Sequence, residues 1–183
     1  MKSEYVVLLD ADGTEIGTAE KYSAHHADTP LHKAFSCYVF NDRNRLLVTK
    51  RADGKKVWPG VWTNSVCGHP APGEPTEAAI TRRLMYELGM AADNVRVVAP
   101  HYRYKTPPYN GIIENEICPV YIAHALGEPQ PNPEEVADYK WVGWAEYTQA
   151  LAADTDNTFS WWSKDQLQHI RTQIDALLHA KPA

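Results

Sequence analysis

A short polar stretch brings a thiol, a glycine and an imidazole within three positions of one another. It is residues 63–70, TNSVCGHP, and the three groups are Cys67, Gly68 and His69. In an extended segment Cys67 and His69 project from the same face, and Pro70 then ends the strand. These residue types suit proton transfer and metal binding. The structural alternative is a cysteine packed as a small buried hydrophobe beside a turn histidine.

Two carboxylates occur close together in a second stretch. Glu114 and Glu116 project from the same face of a strand predicted over residues 112–125. Like charges brought together in apolar surroundings destabilise each other unless a cation is present. A solvent-facing edge strand is the alternative, because polar residues ordinarily alternate along a half-exposed sheet.

Two further histidines complete a candidate metal site. His25 and His32 are seven residues apart, and Pro30 argues against a continuous helix between them, so we expect both on a loop. Mixed nitrogen and oxygen ligands suit manganese, magnesium or zinc better than a structural zinc site, which usually has four ligands and thiolates. Cys67 would then be a free thiol beside a cation, which lowers the pKa of a thiol. The candidate ligands are His25, His32, His69, Glu114 and Glu116.

Strands must position most of these residues, because strands dominate the first two-thirds of the chain. Strands are predicted over residues 5–9, 34–40, 45–50, 95–104, 112–125 and 139–144, and helices over 75–88, 145–152 and 161–179. This order predicts an α+β fold, with a mixed β-sheet core and helices packed around it. The chain length of 183 residues favours one domain, residues 1–183.

The helix predicted over residues 75–88 has an apolar stripe, ends at Gly89 and carries charges on its polar face. Glu87 lies in its last turn and faces the negative end of the helix dipole, which costs up to about 1 kcal/mol if the carboxylate is unpaired. A positive group should therefore compensate Glu87. Either Arg83, one turn earlier, or a metal ion would do so.

Composition and charge exclude several classes of partner. The net charge of -5 provides no general basic field and no local basic patch stands out, so we do not expect nucleic acid binding. Cys37, Cys67 and Cys118 cannot all pair within one chain and match no CxxC motif, which fits a reducing cytosol. No stretch has the length of a membrane span or a signal segment. We expect a cytoplasmic protein without a membrane partner, as a monomer or homodimer.

Residues 68–90 resemble a degenerate Nudix box. The positions that agree with the pattern are Gly68, Glu74, Arg82, Glu87 and Gly89. Two acidic positions of the hydrolase pattern hold Arg83 and Tyr86 instead. Nudix hydrolases use those carboxylates to hold the magnesium ions that help water attack a diphosphate. The departure therefore argues against hydrolysis more than against diphosphate binding.

A second resemblance covers nearly the whole chain and is to the type I isopentenyl diphosphate isomerases, which have the Nudix fold. Its motifs are TNSVCGHP, the ENE at 114–116, His25 and His32 ahead of AFSCYVF, the basic loop after residue 50, and FSWWS at 159–163. The resemblance implies that one divalent metal, Mn²⁺, Mg²⁺ or Zn²⁺, binds to His25, His32, His69, Glu114 and Glu116. It implies that Glu87 helps to hold a Mg²⁺ carried with the substrate diphosphate. The cations that it assigns to that diphosphate are Lys21, Arg51, Lys55 and Arg83.

The implied reaction interconverts isopentenyl and dimethylallyl diphosphate. One alkene carbon is protonated, a carbocation-like species forms, and a proton leaves from the carbon on the other side. By resemblance, Cys67 is one proton-transfer group and Glu116, assisted by Tyr104, is the other. An aromatic wall must exclude water. Each cation–π contact with the carbocation-like species contributes about 0.5–2 kcal/mol. The resemblance assigns Trp161 to this wall, and a hydrophobic anchor at a helix start is the alternative for Trp161 or Trp162.

Two other functions remain open from the residues alone. A Nudix hydrolase of nucleoside diphosphates would need Glu87 to organise its metals unaided. A metal-stabilised binding module without turnover would use the histidines and glutamates only to join loops, and it leaves Cys67 without a role. We expect the proline-rich acidic segment at residues 126–138 to be surface only.

Overall fold

The computed structural model describes residues 4–179, so residues 1–3 and 180–183 of the predicted domain lie outside the described part of the chain. The strands are β1 (Tyr5–Leu9), β2 (Glu15–Glu20), β3 (His32–Lys33), β4 (Phe35–Phe40), β5 (Arg45–Arg51), β6 (Trp62–Thr63), β7 (Val66–Gly68), β8 (Ala91–Ala99), β9 (Arg103–Lys105), β10 (Asn115–Ile117), β11 (Val120–Leu126) and β12 (Val136–Gly143). The helices are α1 (Lys21–Ala24), α2 (Thr76–Leu88), α3 (Trp144–Ala153) and α4 (Trp161–His179). This is the α+β arrangement that the sequence predicts. Within residues 4–179 no helix has both the length and the apolar character needed to cross a membrane.

The strands form two sheets that meet at a corner. The smaller sheet has the order β2-β1-β3-β10-β9, and the larger has the order β12-β5-β4-β11-β8 with β6 beside β5 and β7 beside β4. Three segments of chain pass from one sheet to the other, where β3 leads into β4, β8 into β9 and β10 into β11. Hydrogen bonds continue through this corner, from the Ala34 N–H to the Ile117 carbonyl (2.9 Å) and from the Cys118 N–H to the Tyr102 carbonyl (2.9 Å).

The predicted extent of two strands is wrong, because the chain passes from one sheet to the other within each of them. Single strands are predicted over residues 95–104 and 112–125, but each is divided between the two sheets, and a proline lies at each break, Pro100 and Pro119. Proline has no N–H to contribute to a ladder. The pattern of residue types predicted extended segments here, but it could not show that their two halves belong to different sheets.

Helices cover both faces of the larger sheet. Neighbouring residues of β4 point to opposite faces, as Tyr38 and Val39 do. On the Tyr38 face, α3 and α4 pack through residues such as Tyr147 and Ile170. On the Val39 face, α2 packs through its apolar stripe, which includes Leu84. At the central strand β4 both faces of the sheet are therefore buried, as in a three-layer arrangement.

Helix α2 follows Pro75 and ends at Gly89, close to the predicted bounds. Gly89 has a φ of 56°, in the left-handed region that glycine adopts without strain. The Gln130 N–H donates a hydrogen bond to the Leu88 carbonyl (2.6 Å), one of the last-turn acceptors that a helix leaves unpaired. Residues 127–135 are thus docked on the end of α2.

Candidate active site

The smaller sheet places a glutamate between a histidine and a tyrosine. Glu116 in β10 is in register with His32 in the parallel strand β3 and with Tyr104 in the antiparallel strand β9. Register partners project from the same face of a sheet, so the three side chains lie together. All three are buried, and His32 is 0% exposed. The sheet therefore positions Glu116 from both flanks.

His25 and His32 reach the same point from different elements. His25 ends α1, whereas His32 lies in β3, so the predicted loop is wrong for His32. The chain pairs with β1 and β10 directly after Pro30, which leaves no loop there. The Nδ1 atom of His25 lies 2.5 Å from the Lys21 carbonyl, and that of His32 lies 2.9 Å from the Pro30 carbonyl. A carbonyl oxygen only accepts, so each Nδ1 carries a hydrogen, and each Nε2 points into the site, where the neutral ring would offer its lone pair to a metal ion.

Three imidazoles and one carboxylate form a compact group. One ligand atom from each of His25, His32, His69 and Glu116 lies within 4.8 Å of the other three. The Nε2 of His69 is 3.2 Å from the Nε2 of His32 and 3.1 Å from Oε1 of Glu116. Ligands at about 2.1 Å from one octahedral ion stand about 3 Å apart when adjacent and about 4 Å apart when opposite. The spacing of the group therefore fits one divalent ion.

Glu114 approaches this group from the side of His25. Its Oε2 lies 3.1 Å from the His25 Nε2, yet this buried oxygen makes no hydrogen bond within residues 4–179. A buried carboxylate oxygen without a donor is destabilising unless a cation binds it. Glu114 is 9% exposed and Glu116 is 6% exposed, so the alternative of a solvent-facing edge strand is wrong.

Burial and hydrogen bonding set the charges of the group. Burial lowers the pKa of His69 to about 4, so its ring is neutral at pH 7. Burial would raise the pKa of the Glu116 carboxyl, but its interactions with His32 and His69 hold it well below its usual range. Neutral imidazoles and an ionised carboxylate are the forms that bind a divalent metal.

Cys67 in β7 lies opposite Ser36 of β4 and faces the cavity. Its thiol donates to the Asn64 Oδ1 at 3.0 Å, and the Ser36 Oγ lies 3.3 Å away. The Asn64 Nδ2 donates to two backbone carbonyls, which orients the amide with its oxygen toward the sulfur. Burial raises the pKa of Cys67 to about 12, so the sulfur holds its hydrogen at pH 7. Cys37 and Cys118 are also free thiols, but both are buried in the core.

One cavity of about 540 Å³ collects most of the predicted residues. His32 is fully buried behind the wall. The predicted residues that line the cavity are Lys21, His25, Arg51, Lys55, Cys67, His69, Arg83, Glu87, Tyr104, Glu114 and Glu116. The candidate metal ligands other than His32, the thiol and the four cations therefore share one space.

Trp162 lines the cavity, whereas Trp161, which the resemblance assigns to an aromatic wall, does not. The Trp162 Nε1 donates to the Thr63 Oγ1 at 2.9 Å, and the Arg51 guanidinium carbon lies 5.6 Å from the ring centroid of Trp162. Trp161 stacks on Tyr104 with 5.9 Å between ring centroids, and it is not part of the wall. Consecutive helical residues point about 100° apart, which is why the two neighbouring rings have different surroundings.

Arg83 contacts three carboxylates. Its Nη2 lies 2.7 Å from Glu87 and 3.2 Å from Glu135, and its Nη1 lies 3.5 Å from Glu4. The internal pair between Arg83 and Glu87, considered from the sequence as an alternative to a metal, is therefore formed. It compensates the carboxylate at the negative end of the α2 dipole.

Two carboxylates at the cavity were not predicted from the sequence. Glu4 pairs with Lys21 at 2.6 Å, and Glu135 pairs with Lys55. The expectation that residues 126–138 are surface only is wrong for Glu135, whose side chain is 14% exposed. No motif or periodicity marks either residue, because each reaches the cavity through contacts distant in sequence.

Comparisons with known proteins place this chain among sequence relatives. Residues 30–162 match the model of the NUDIX domain. An isopentenyl-diphosphate Delta-isomerase of Klebsiella pneumoniae is 54% identical over 162 residues, or 88% of each chain. One of Citrobacter koseri is 55% identical over 153 residues, or 84% of each chain.

Solved structures agree on the fold. A protein from Deinococcus radiodurans matches with a TM-score of 0.71 at 17% identity, covering 91% of this chain and 99% of the other. A MutT NUDIX hydrolase from Burkholderia pseudomallei matches with a TM-score of 0.57 at 24% identity, covering 76% and 98%. At these identities the likeness concerns the fold alone.

Proposed function

The chain belongs to the isopentenyl-diphosphate Delta-isomerases within the Nudix superfamily, and from this we propose how its cavity works. The activity is the interconversion of isopentenyl diphosphate and dimethylallyl diphosphate in isoprenoid biosynthesis. The reaction adds a proton at one carbon and removes one from another, and the diphosphate stays intact. The observation that carries the proposal is that a thiol, a carboxylate within a metal-ligand group and four cations face one cavity.

The diphosphate is held by four cations of the cavity wall. These are Lys21, Arg51, Lys55 and Arg83. Arg83 occupies a position where the hydrolase pattern has a glutamate, so α2 contributes a cation to the diphosphate site in place of a metal ligand. Tyr86, at the second altered position, is 50% exposed and adds no carboxylate. Both changes favour binding of a diphosphate over its hydrolysis.

Two divalent cations are proposed. One would bind to His25, His32, His69, Glu114 and Glu116, and would be Mn²⁺, Mg²⁺ or Zn²⁺. When bound, it supplies positive charge that stabilises the ionised carboxylates and changes the proton affinity of neighbouring groups. Glu87 would help to hold a Mg²⁺ that arrives with the diphosphate.

Cys67 and Glu116 are proposed as the two proton-transfer groups. Cys67 comes from the larger sheet and Glu116 from the smaller sheet, so they reach the cavity from different sides of the corner. This placement suits proton transfer on opposite faces of a planar alkene. Burial and the nearby Glu116 carboxylate raise the pKa of Tyr104 well above its usual range, so its hydroxyl keeps its proton and can donate to Glu116.

We propose that Trp162 forms the aromatic wall, a role for which the resemblance suggested Trp161. Its ring is 5% exposed and lies at the cavity surface. An aromatic face is apolar yet attracts cations, so it protects a carbocation-like species from water. Capture by water would convert the substrate into an alcohol.

Proton NMR of isopentenyl diphosphate in heavy water, with the purified protein and Mg²⁺, tests the activity. We expect dimethylallyl diphosphate with deuterium incorporated and the diphosphate intact. An unchanged spectrum with metal bound would refute the isomerase, and phosphate released from a nucleoside diphosphate panel would favour a hydrolase. Replacing Cys67 with alanine should abolish turnover with fold and metal content retained, whereas a binding module would be unaffected.

A further inference from the structure

The carboxylate of Glu135 lies within the cation cluster of the cavity. Glu135 is the last residue before β12, and its side chain is 14% exposed. Its Oε2 contacts both the Lys55 Nζ and the Arg83 Nη2, the latter at 3.2 Å. One carboxylate oxygen therefore joins two of the cations to which the proposed function assigns the diphosphate.

Backbone hydrogen bonds hold Glu135 in place from both directions. Its N–H donates to the Asn132 carbonyl (3.0 Å), and its own carbonyl accepts from the Ala52 N–H (3.0 Å). The Asn132 N–H donates to the Glu87 carbonyl (2.8 Å), which ties this segment to α2. The Lys55 N–H donates to the Ala52 carbonyl (3.2 Å). The carboxylate, the end of α2 and the turn that carries Lys55 are therefore one hydrogen-bonded unit.

The Arg83 guanidinium has one anchored edge and one exchangeable edge. Its Nε donates to Glu87 at 2.8 Å, and its Nη2 contacts both Glu87 and Glu135. Its Nη1 faces Glu4 at 3.5 Å. The side chains of Glu87 and Glu135 are 12% and 14% exposed, whereas that of Glu4 is 49% exposed. An incoming anion would replace the exposed partner most readily, so Nη1 is the edge available to it.

We propose that Glu135 is a positioning residue of the diphosphate site. Its carboxylate holds the Lys55 ammonium and the Nη2 of Arg83 in place. Lys55 and the Nη1 of Arg83 are therefore already ordered when the diphosphate binds. Long cationic side chains lose rotamer freedom when a ligand fixes them. A buried carboxylate that fixes them in the free protein removes that cost from binding. The proposal rests on the proposed function, which assigns these cations to the diphosphate.

The two possible roles of Glu135, positioning and charge neutralisation, predict opposite changes in diphosphate affinity when its carboxylate is removed. A carboxylate repels a diphosphate, so if Glu135 only neutralised its neighbours, its removal would strengthen binding. If it positions them, its removal weakens binding. Glu4 is the matched control, because it contacts the same guanidinium from its exposed edge and pairs with Lys21 at 2.6 Å. We expect removal of the Glu4 carboxylate to strengthen binding or leave it unchanged.

The test compares Glu135→Gln with Glu4→Gln in two assays. One is calorimetric titration of inorganic diphosphate into the protein in the presence of Mg²⁺, and the other is isomerase kinetics. For Glu135→Gln we expect Kd and KM to rise about tenfold, with kcat within about twofold of the parent. Glu135→Asp keeps the charge on a shorter chain and should restore part of the affinity. In a background with Lys55→Ala and Arg83→Ala, Glu135→Gln should change Kd no further. Thermal unfolding checks that each variant is folded.

A Kd for Glu135→Gln that is unchanged or lower overturns the proposal, and so does an equal loss in the background that lacks both cations. A parent protein that does not bind diphosphate overturns it as well. Because the titration requires no turnover, a parent protein that binds diphosphate but shows no isomerase activity would refute the proposed function, while the titration would still decide the role of Glu135.

Discussion

Replacing Gly89 with alanine should destabilise the protein and disturb the diphosphate site at the same time. The φ of Gly89 is 56°, and a Cβ there would lie 2.9 Å from the carbonyl oxygen of Gln130. The neighbour is backbone and belongs to residues 127–135, which are hydrogen-bonded to the end of α2. The backbone of one of the two segments must therefore shift to admit a methyl group.

The magnitude follows from two opposing effects and one contact. The left-handed conformation costs an alanine about 1–2 kcal/mol. The lower entropy of alanine in the unfolded chain returns about 0.4–1 kcal/mol. Overpacking against Gln130 adds about 1–3 kcal/mol. We expect the free energy of unfolding to fall by about 3 kcal/mol, which lowers Tm by about 6–12 °C in a chain of this size.

Chemical denaturation measures this change, and two other glycines serve as controls. Gly73 has a φ of 74°, and a Cβ at this position would meet no neighbouring group within 4 Å. Gly73→Ala therefore reports only the free-energy cost of the left-handed conformation. Gly54 has neither constraint, and Gly54→Ala should be neutral or slightly stabilising. Because a shift of residues 127–135 displaces Glu135, Gly89→Ala should also raise KM for the substrate. Equal stability losses for Gly89→Ala and Gly73→Ala, with KM unchanged, would refute the argument.

The remaining predictions concern the wall, the surface and the metal. Trp162→Phe should reduce kcat more than Trp161→Phe, because only Trp162 lines the cavity; equal losses in steady-state assays would contradict this assignment. His124 lies between Asp42 (2.7 Å) and Asp93 (3.1 Å), and its hydrogen bond with Asp42 raises its pKa. This interaction stabilises the fold below the ordinary histidine pKa, and its contribution should disappear as pH rises through the raised value; denaturant titrations of the parent and His124→Gln between pH 6 and 8.5 should diverge only on the acidic side. Chelator treatment should remove activity and lower Tm, and Mn²⁺, Mg²⁺ or Zn²⁺ at about 100 times its Kd should restore about 2.7 kcal/mol of stability; no change in Tm with any of the three would exclude a structural role for the metal group.

Local chemistry made part of the site visible in the sequence. Glu114 and Glu116 are two residues apart in extended chain, so a shared face followed from strand geometry, and both are buried at the metal group. The limits of α2 followed from its apolar period and from Gly89, a residue that commonly ends helices and that adopts the left-handed conformation here. The roles of Cys67 and His69 depended on residue type and on resemblance. Such signals require nothing beyond a few neighbouring residues.

Contacts between distant segments were decided only in the folded chain. Sheet register places Tyr104 and His32 on either side of Glu116, and helix rotation selects Trp162 for the wall over Trp161. Division of two apolar segments between sheets likewise depends on how the corner packs. Apolar periodicity encodes burial and local direction, whereas register, helix rotation and ion pairing between distant residues depend on non-local packing. For this reason the sequence predicted most of the candidate residues that line the cavity, and the tertiary structure decided how they are supported.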